Sequence, residues 1–310
     1  MSFSPAPDPK AGDKHQCEAI KQVVVPRTAD LGDGFTVKRA LPSAQSRMVG
    51  PFVFFDHFGP VEVVAPGSSH DVRPHPHIGL ATLTFLFDGA MMHRDSTGVV
   101  QRIEPGAVNW MQAGRGIVHS ERVPKDLQQS TYRSHGLQLW VALPEADEES
   151  APTFQHAPAA SIPRVRLDGA TVQVVVGAAF GATSPIATRS PTLALVFDFD
   201  VAAGTSVELP ALASERALYA VDHPFEIDGE KIDEFTMAVI PAGATPKLAA
   251  PRGGRVALVG GEPLGHRFIS WNFVSSRRER ILAAEADWEA QRFARIPGET
   301  EFIPLPARHP

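Results

Sequence analysis

The sequence predicts an all-β protein built as two tandem antiparallel barrels, with one helix at its C-terminal end. Three observations carry that reading. Short apolar or alternating runs recur along most of the chain, 28 prolines and 25 glycines separate them, and only one stretch has helical periodicity. At 310 residues the chain is long for one domain and comfortable for two, and it can bury a sizeable core without disulfides.

The first set of expected strands falls at 52–55, 80–87, 99–104, 107–112, 117–122 and 136–143, with Gly, Pro or Asp-Gly turns between them. That number suffices to close a small barrel, and residues 1–144 are assigned to it. Residues 145–162 are rich in Pro, Ala and acid, lack periodicity and read as a linker. A second domain is expected over 163–310. Its strands, at 172–176, 192–201, 206–209, 217–221, 235–240 and 255–259, resemble the first set in length and spacing, with turns at Asp228-Gly229 and 241–243. From 275 to 294, apolar Ile281, Leu282, Ala284, Trp288 and Phe293 alternate with charges, and Ser276 is positioned to cap an amphipathic helix.

Composition excludes several functions. A net charge of -6, from 29 basic and 35 acidic side chains spread along the chain, leaves no footprint for nucleic acid or an anionic membrane. The one basic run, Arg277, Arg278 and Arg280, reads as a solvated helix face. No apolar run is long enough to span a bilayer, and the first residues lack the pattern of a secretory signal, so a soluble cytoplasmic protein is expected. The single cysteine, Cys17, permits no internal disulfide and no thiolate cluster, so any metal must be held by His and carboxylate.

Two pairs of residues point to such a site. His75 and His77 are one residue apart, as are His119 and Glu121, and in extended backbone residues i and i+2 project from one face. Two strands with two inward ligands each make a four-ligand cup with positions left for water, dioxygen or substrate. Three imidazoles and a carboxylate suit Fe(II) first, with Ni, Mn, Co, Cu or Zn also compatible, whereas calcium and magnesium want more oxygen. The first pair is weak evidence alone, because 12 histidines in 310 residues yield about half of one H-x-H by chance, and two imidazoles in a Pro-rich polar loop are its ordinary alternative. The second pair, on a separate expected strand preceded by the turn Ala113-Gly114-Arg115-Gly116, strengthens it.

Other residues have ordinary readings. His57, His70, His93 and His135 are assigned to turn or core hydrogen bonds, although His93 and His135 lie within reach of the cup. Trp110, Met111 and Phe52 are core candidates that could also wall an aromatic pocket. Arg115 reads as a surface residue and Cys17 as inert. His223, His266 and His309 have no strand-paired partners, so the second barrel is expected to be metal-free.

The runs RPHPHIGLATLTFLFDGAMMHRDSTG, IEPGAVNWMQAGRGIVHSE and HGLQLWVALP, with VGPFVFFDHFGP before them and GGEPLGH near residue 265, resemble the signature of the pirin family across most of the chain. The resemblance implies a bicupin with metal in the N-terminal barrel, its ligands falling on His75, His77, His119 and Glu121. It also implies a quercetinase-type dioxygenase acting on a flavonol or similar aromatic enol with dioxygen, in which Glu121 coordinates the metal and serves as catalytic base. The alternative it carries is an iron-bearing, redox-sensitive regulatory protein that binds a protein partner without turnover. Family members often read H-P-H-R-G-x-E-T, where this chain has Ile78 for the arginine and Ala81 for the glutamate. Because that glutamate could serve as a further ligand or base, its loss bears on activity more than on metal binding.

Overall fold

The structure is a computed structural model that describes residues 18–31, 35–64, 71–201 and 206–307; Cys17, His70 and His309 lie outside them. Among the described residues it is a strand protein with one α-helix, Arg278–Glu289, and two short 3-10 turns, as expected of an all-β bicupin. Among the described residues no helix is long and apolar enough to cross a membrane.

The chain forms two compact units, each discontinuous in sequence. One comprises the described parts of Ala29–Val37, His57–Ser161 and Leu264–Pro310, and carries all four expected ligands. Its smaller sheet runs in the order Val72–His77, Ile117–Arg122, Met91–Asp95, Val100–Ile103. Its larger sheet includes Thr153–Ala157, Val108–Gln112, Leu80–Asp88 and Tyr132–Ala142 as neighbours in that order. All the pairings are antiparallel.

The other unit comprises the described parts of Met1–Thr28, Lys38–Asp56 and Ile162–Pro263. It repeats the plan, with a seven-stranded sheet including Thr192–Phe199, Glu215–Ala220 and Gly254–Gly261 beside a four-stranded sheet including Phe225–Ile227 and Lys247–Ala249. Its interior is filled by apolar side chains, among them Leu195, Phe197, Leu218, Phe225, Leu248 and Leu258. Phe52 belongs to this unit and is fully buried.

Three expectations change. Of residues 145–162, all but Ile162 belong to the unit that carries the expected ligands: Thr153–Ala157 pairs with Val108–Gln112, and the Glu148 carboxylate is buried against Arg267 at 3.1 Å, accepting hydrogen bonds from Ser275 and Ser276. The terminal helix, expected with the second barrel, packs within the unit that carries the expected ligands, where Ile281, Ala284 and Trp288 close over Ile78, Val118 and Phe273. Ser276 does not cap it: the N-cap position is Arg277, without a side-chain cap, because the Ser276 hydroxyl and N–H are committed to Glu148. Leu282 points outward.

Candidate metal centre

Strand pairing builds the cup. Ile117–Arg122 lies between two neighbours, with His119 opposite His75 on one side and opposite Asp95 on the other, and Glu121 opposite His93. A bulge lets Glu121 pair with Val72, three residues stepping on that strand for two on its neighbour, while the register toward Met91–Asp95 stays regular. His119 and Glu121 therefore keep the same face. The return into this strand needs glycine at 114, whose φ of +52° is left-handed and where a Cβ would collide with the Ser150 carbonyl.

Ligand atoms of His75, His77 and His119 all lie within 4.8 Å of one another, and all three rings are buried. Two of them have their tautomers set by backbone carbonyls. His75 Nδ1 donates to the Arg73 carbonyl at 2.9 Å and His77 Nδ1 to the Asn272 carbonyl at 2.9 Å. Since a carbonyl only accepts, each Nδ1 carries the hydrogen and each Nε2 presents a lone pair. His77 Nε2 lies 3.1 Å from His119 Nε2. Burial holds all three imidazoles neutral, lowering His75 to about 4 and His77 and His119 well below the ordinary histidine value, with mutual repulsion adding to the effect. Neutral, buried imidazoles with convergent lone pairs are what a divalent transition metal takes as ligands, so the residues fit such an ion.

Glu121 sits at the edge of the triad. Its carboxylate is only 6% exposed, accepts a hydrogen bond from Gln138 Nε2 at 3.1 Å and another from Thr84, and is not among the group within 4.8 Å. Burial pushes it up to about 7, against the lowering effect of those two donors. Thr84 and Gln138 are partners across neighbouring strands, as are Thr82 and Trp140, whose indole packs 5.1 Å from the His77 ring. Those residues share the inner face.

Alternation then places Ala81 on the opposite face, level with Val141 and Gln112. A glutamate on this backbone at 81 would project away from Thr82 and Thr84, so alanine there removes no carboxylate from the cup. Ile78 is accounted for too. It is 1% exposed and buried in the cluster with Phe273, Ile281 and Trp288, where an arginine would be an unpaired charge.

Of the remaining histidines, His57 and His135 meet each other, Nε2 to Nε2 at 2.8 Å, fully buried. His93 enters the site's surroundings: its Nδ1 lies 3.4 Å from His119 Nδ1, its Nε2 is 3.0 Å from Asp95, and its ring stacks on Phe154 at 4.5 Å. Burial would raise Asp95, but hydrogen bonds from His93 and Thr97 outweigh it and hold the carboxyl below its ordinary value. Trp110, one position out of phase with Met111, faces away from the cup, and Arg115 is exposed. The aromatic residues near the site are Trp140 and Phe154. The sequence marks neither: register relative to Thr82 decides which face Trp140 takes, and Phe154 falls in the expected linker.

The pirin family model matches residues 34–141, and a model described as the pirin C-terminal cupin domain matches residues 196–294. A pirin-like protein of Caulobacter vibrioides is 46% identical over 285 residues, which is 90% of this chain and 97% of that protein. The chain belongs to the pirin family. Pirin of Rattus norvegicus is 34% identical to it, over 86% of this chain and 90% of the rat protein. The crystal structure of quercetin 2,3-dioxygenase from Acinetobacter baumannii has a TM-score of 0.86 and 35% identity to this pirin-family chain, covering 94% of it and 96% of the enzyme.

Proposed function

We propose that this chain is a metal-dependent dioxygenase of the quercetinase type, holding iron(II) with His75, His77, His119 and Glu121 and acting on a flavonol or similar aromatic enol. The observation that carries the reading is a buried carboxylate raised to about 7 at the edge of three convergent neutral imidazoles. Likeness to the Acinetobacter baumannii quercetin 2,3-dioxygenase supports the substrate class. Nickel, manganese, cobalt, copper or zinc would also suit this donor set. When bound, the metal supplies Lewis acidity that lowers the pKa of a substrate hydroxyl, and a redox path to dioxygen.

The chain's own residues do the rest. Glu121 accepts the hydroxyl proton, and its burial favours the neutral form that results. Gln138 and Thr84 hold that carboxylate by two hydrogen bonds, limiting its swing as it gains the proton. Trp140, beside His77, offers an aromatic wall against which a planar substrate can lie. Aerobic turnover of iron-loaded protein is the test, with His119→Ala as control. Oxygen consumption with quercetin or related catechols that vanishes in the variant is expected, and none with the loaded wild type would refute the proposal.

One observation favours a second reading, a regulatory protein whose iron oxidation state alters a partner-binding surface. His77 is hydrogen-bonded to the Asn272 carbonyl, and Ile78 bridges to Phe273 just ahead of the terminal helix, so a charge change at the site has a short path to that helix. Hydrogen exchange over 272–289 in ferrous and ferric protein tests it, and identical protection would remove the switch.

A further inference from the structure

We propose that His93 and Asp95 form a positioning relay that fixes the tautomer of His119, aiming its Nε2 lone pair into the cup and adding carboxylate character to that ligand alone. The inference rests on the metal-centre reading above for its consequence, but its geometry stands without it.

The argument runs outward to inward. Asp95 is fully buried and its Oδ1 already accepts three hydrogen bonds, from the Thr97 N–H at 2.8 Å, the Thr97 hydroxyl at 2.6 Å and the Val99 N–H at 3.2 Å. That leaves Oδ2 for His93 Nε2 at 3.0 Å. An ionised carboxylate only accepts, so the hydrogen of that contact sits on His93 Nε2. A neutral imidazole protonated at Nε2 has a lone pair at Nδ1, and His93 Nδ1 faces His119 Nδ1 at 3.4 Å. His119 is offered two acceptors, the His77 Nε2 lone pair 3.1 Å from its own Nε2 and His93 Nδ1 3.4 Å from its Nδ1; the relay places its hydrogen on Nδ1, where the Asp95 carboxylate backs the acceptor, and leaves Nε2 bare. His93 is not itself a ligand, because it meets the His119 nitrogen other than the one near His77. Stacking on Phe154 at an interplanar angle of 25° holds the ring, and the direct cross-strand pairs His93 with Glu121 and Asp95 with His119 hold the backbone.

The three histidines are consequently unequal. His75 and His77 donate to neutral carbonyls, whereas His119 donates through a second imidazole to a carboxylate. Hydrogen bonding of a ligand's remote N–H to a carboxylate raises ligand basicity and fixes ring orientation. Here an intervening imidazole extends that arrangement by one ring.

Asp95→Asn is the decisive variant. The Thr97 and Val99 backbone N–H groups require an acceptor at the Oδ1 position, so the amide must place its NH2 where Oδ2 was, facing His93. His93 then accepts at Nε2 and carries its hydrogen on Nδ1, which inverts His119 to the Nε2–H form. Nitrogen-15 NMR of chelator-treated, histidine-labelled protein, with His119 assigned through His119→Ala, should show the Nδ1–H form in wild type and the Nε2–H form in Asp95→Asn. Cobalt(II) affinity should fall about 10- to 100-fold in the variant, with a shifted visible spectrum. His93→Gln, which can still donate to Asp95 and accept from His119, should keep the Nδ1–H form and most of the affinity, and it serves as the second variant should Asp95→Asn not fold. An Nε2–H tautomer at His119 in wild type, or an unchanged tautomer in Asp95→Asn, overturns the relay; so does loss of the Nδ1–H form in His93→Gln. Failure of wild type to bind cobalt would instead overturn the metal-centre reading, leaving the tautomer result to decide the relay.

Discussion

Replacing Glu121 by Gln should stabilise the metal-free protein at alkaline pH and destabilise the metal-loaded one. In the folded chain burial raises this carboxyl from its ordinary 4.5 to about 7. At about 1.4 kcal/mol per pH unit, the difference corresponds to about 3 kcal/mol. The sign follows from a raised folded-state value: Glu121's contribution is fully present below about 4.5 and is lost as pH rises through 7. His75 acts oppositely, because its lowered value makes the unfolded chain bind more protons between about 4 and 6.5, so that its contribution is lost as pH falls through that window. The histidine slope is common to wild type and variant and cancels in their difference. Urea unfolding of chelator-treated proteins, followed by tryptophan fluorescence, should therefore show near-equal stability at pH 4.5 and a gain of about 2–3 kcal/mol for Glu121→Gln at pH 8. Saturating metal should reverse the order at pH 8, since the cation pairs with the carboxylate and not with the amide. Superimposable metal-free curves from pH 4.5 to 8 would refute the claim that Glu121 is held in a desolvated site.

Three further outcomes are expected. Metal affinity, followed by cobalt absorbance from pH 8 to pH 4, should weaken from about pH 7 downward as Glu121 takes up a proton, since His75 stays neutral to about 4; a first break below pH 5 would remove Glu121 from the ligand set. Ile78→Arg should cost about 3–5 kcal/mol in chemical denaturation, against about 1 kcal/mol for Ile78→Val, because the charge has no partner in the cluster around Phe273 and Trp288. Glu148→Ala should likewise cost about 3–5 kcal/mol by leaving Arg267 buried without its carboxylate, and equal stability would show that the pair is dispensable.

The cup was legible because its code is short-range: two i, i+2 pairs on strands need only alternation, and His75, His77 and His119 converge as that rule requires. What supports them was not legible. Asn272 acts through a backbone carbonyl, an acceptor every residue owns, so its type says nothing about its role toward His77. Glu148 lies in an acidic run that looks solvated, and its partner Arg267 is more than a hundred residues away. Trp110 and Trp140 look alike in sequence, and only register relative to Thr82 decides which one faces inward. Ala81 suggested a missing ligand for the same reason, since motif spacing does not state which face of Leu80–Asp88 it occupies. His93 was weighed as a turn or core residue, and its hydrogen bond to Asp95 fits that; its contact with His119 depends on the pairing of two strands.

The hydrogen bond from His77 to Asn272 spans 195 residues, and the cover over Ile78 and Val118 is supplied by Phe273, Ile281 and Trp288. During synthesis all four ligands leave the ribosome long before the segment that fixes the tautomer of one of them and shields the strands that carry the rest. A nascent chain halted at residue 144 would own every donor atom of the centre and yet lack its lock. The tautomer of His77 is thus set only once residue 272 has joined the fold.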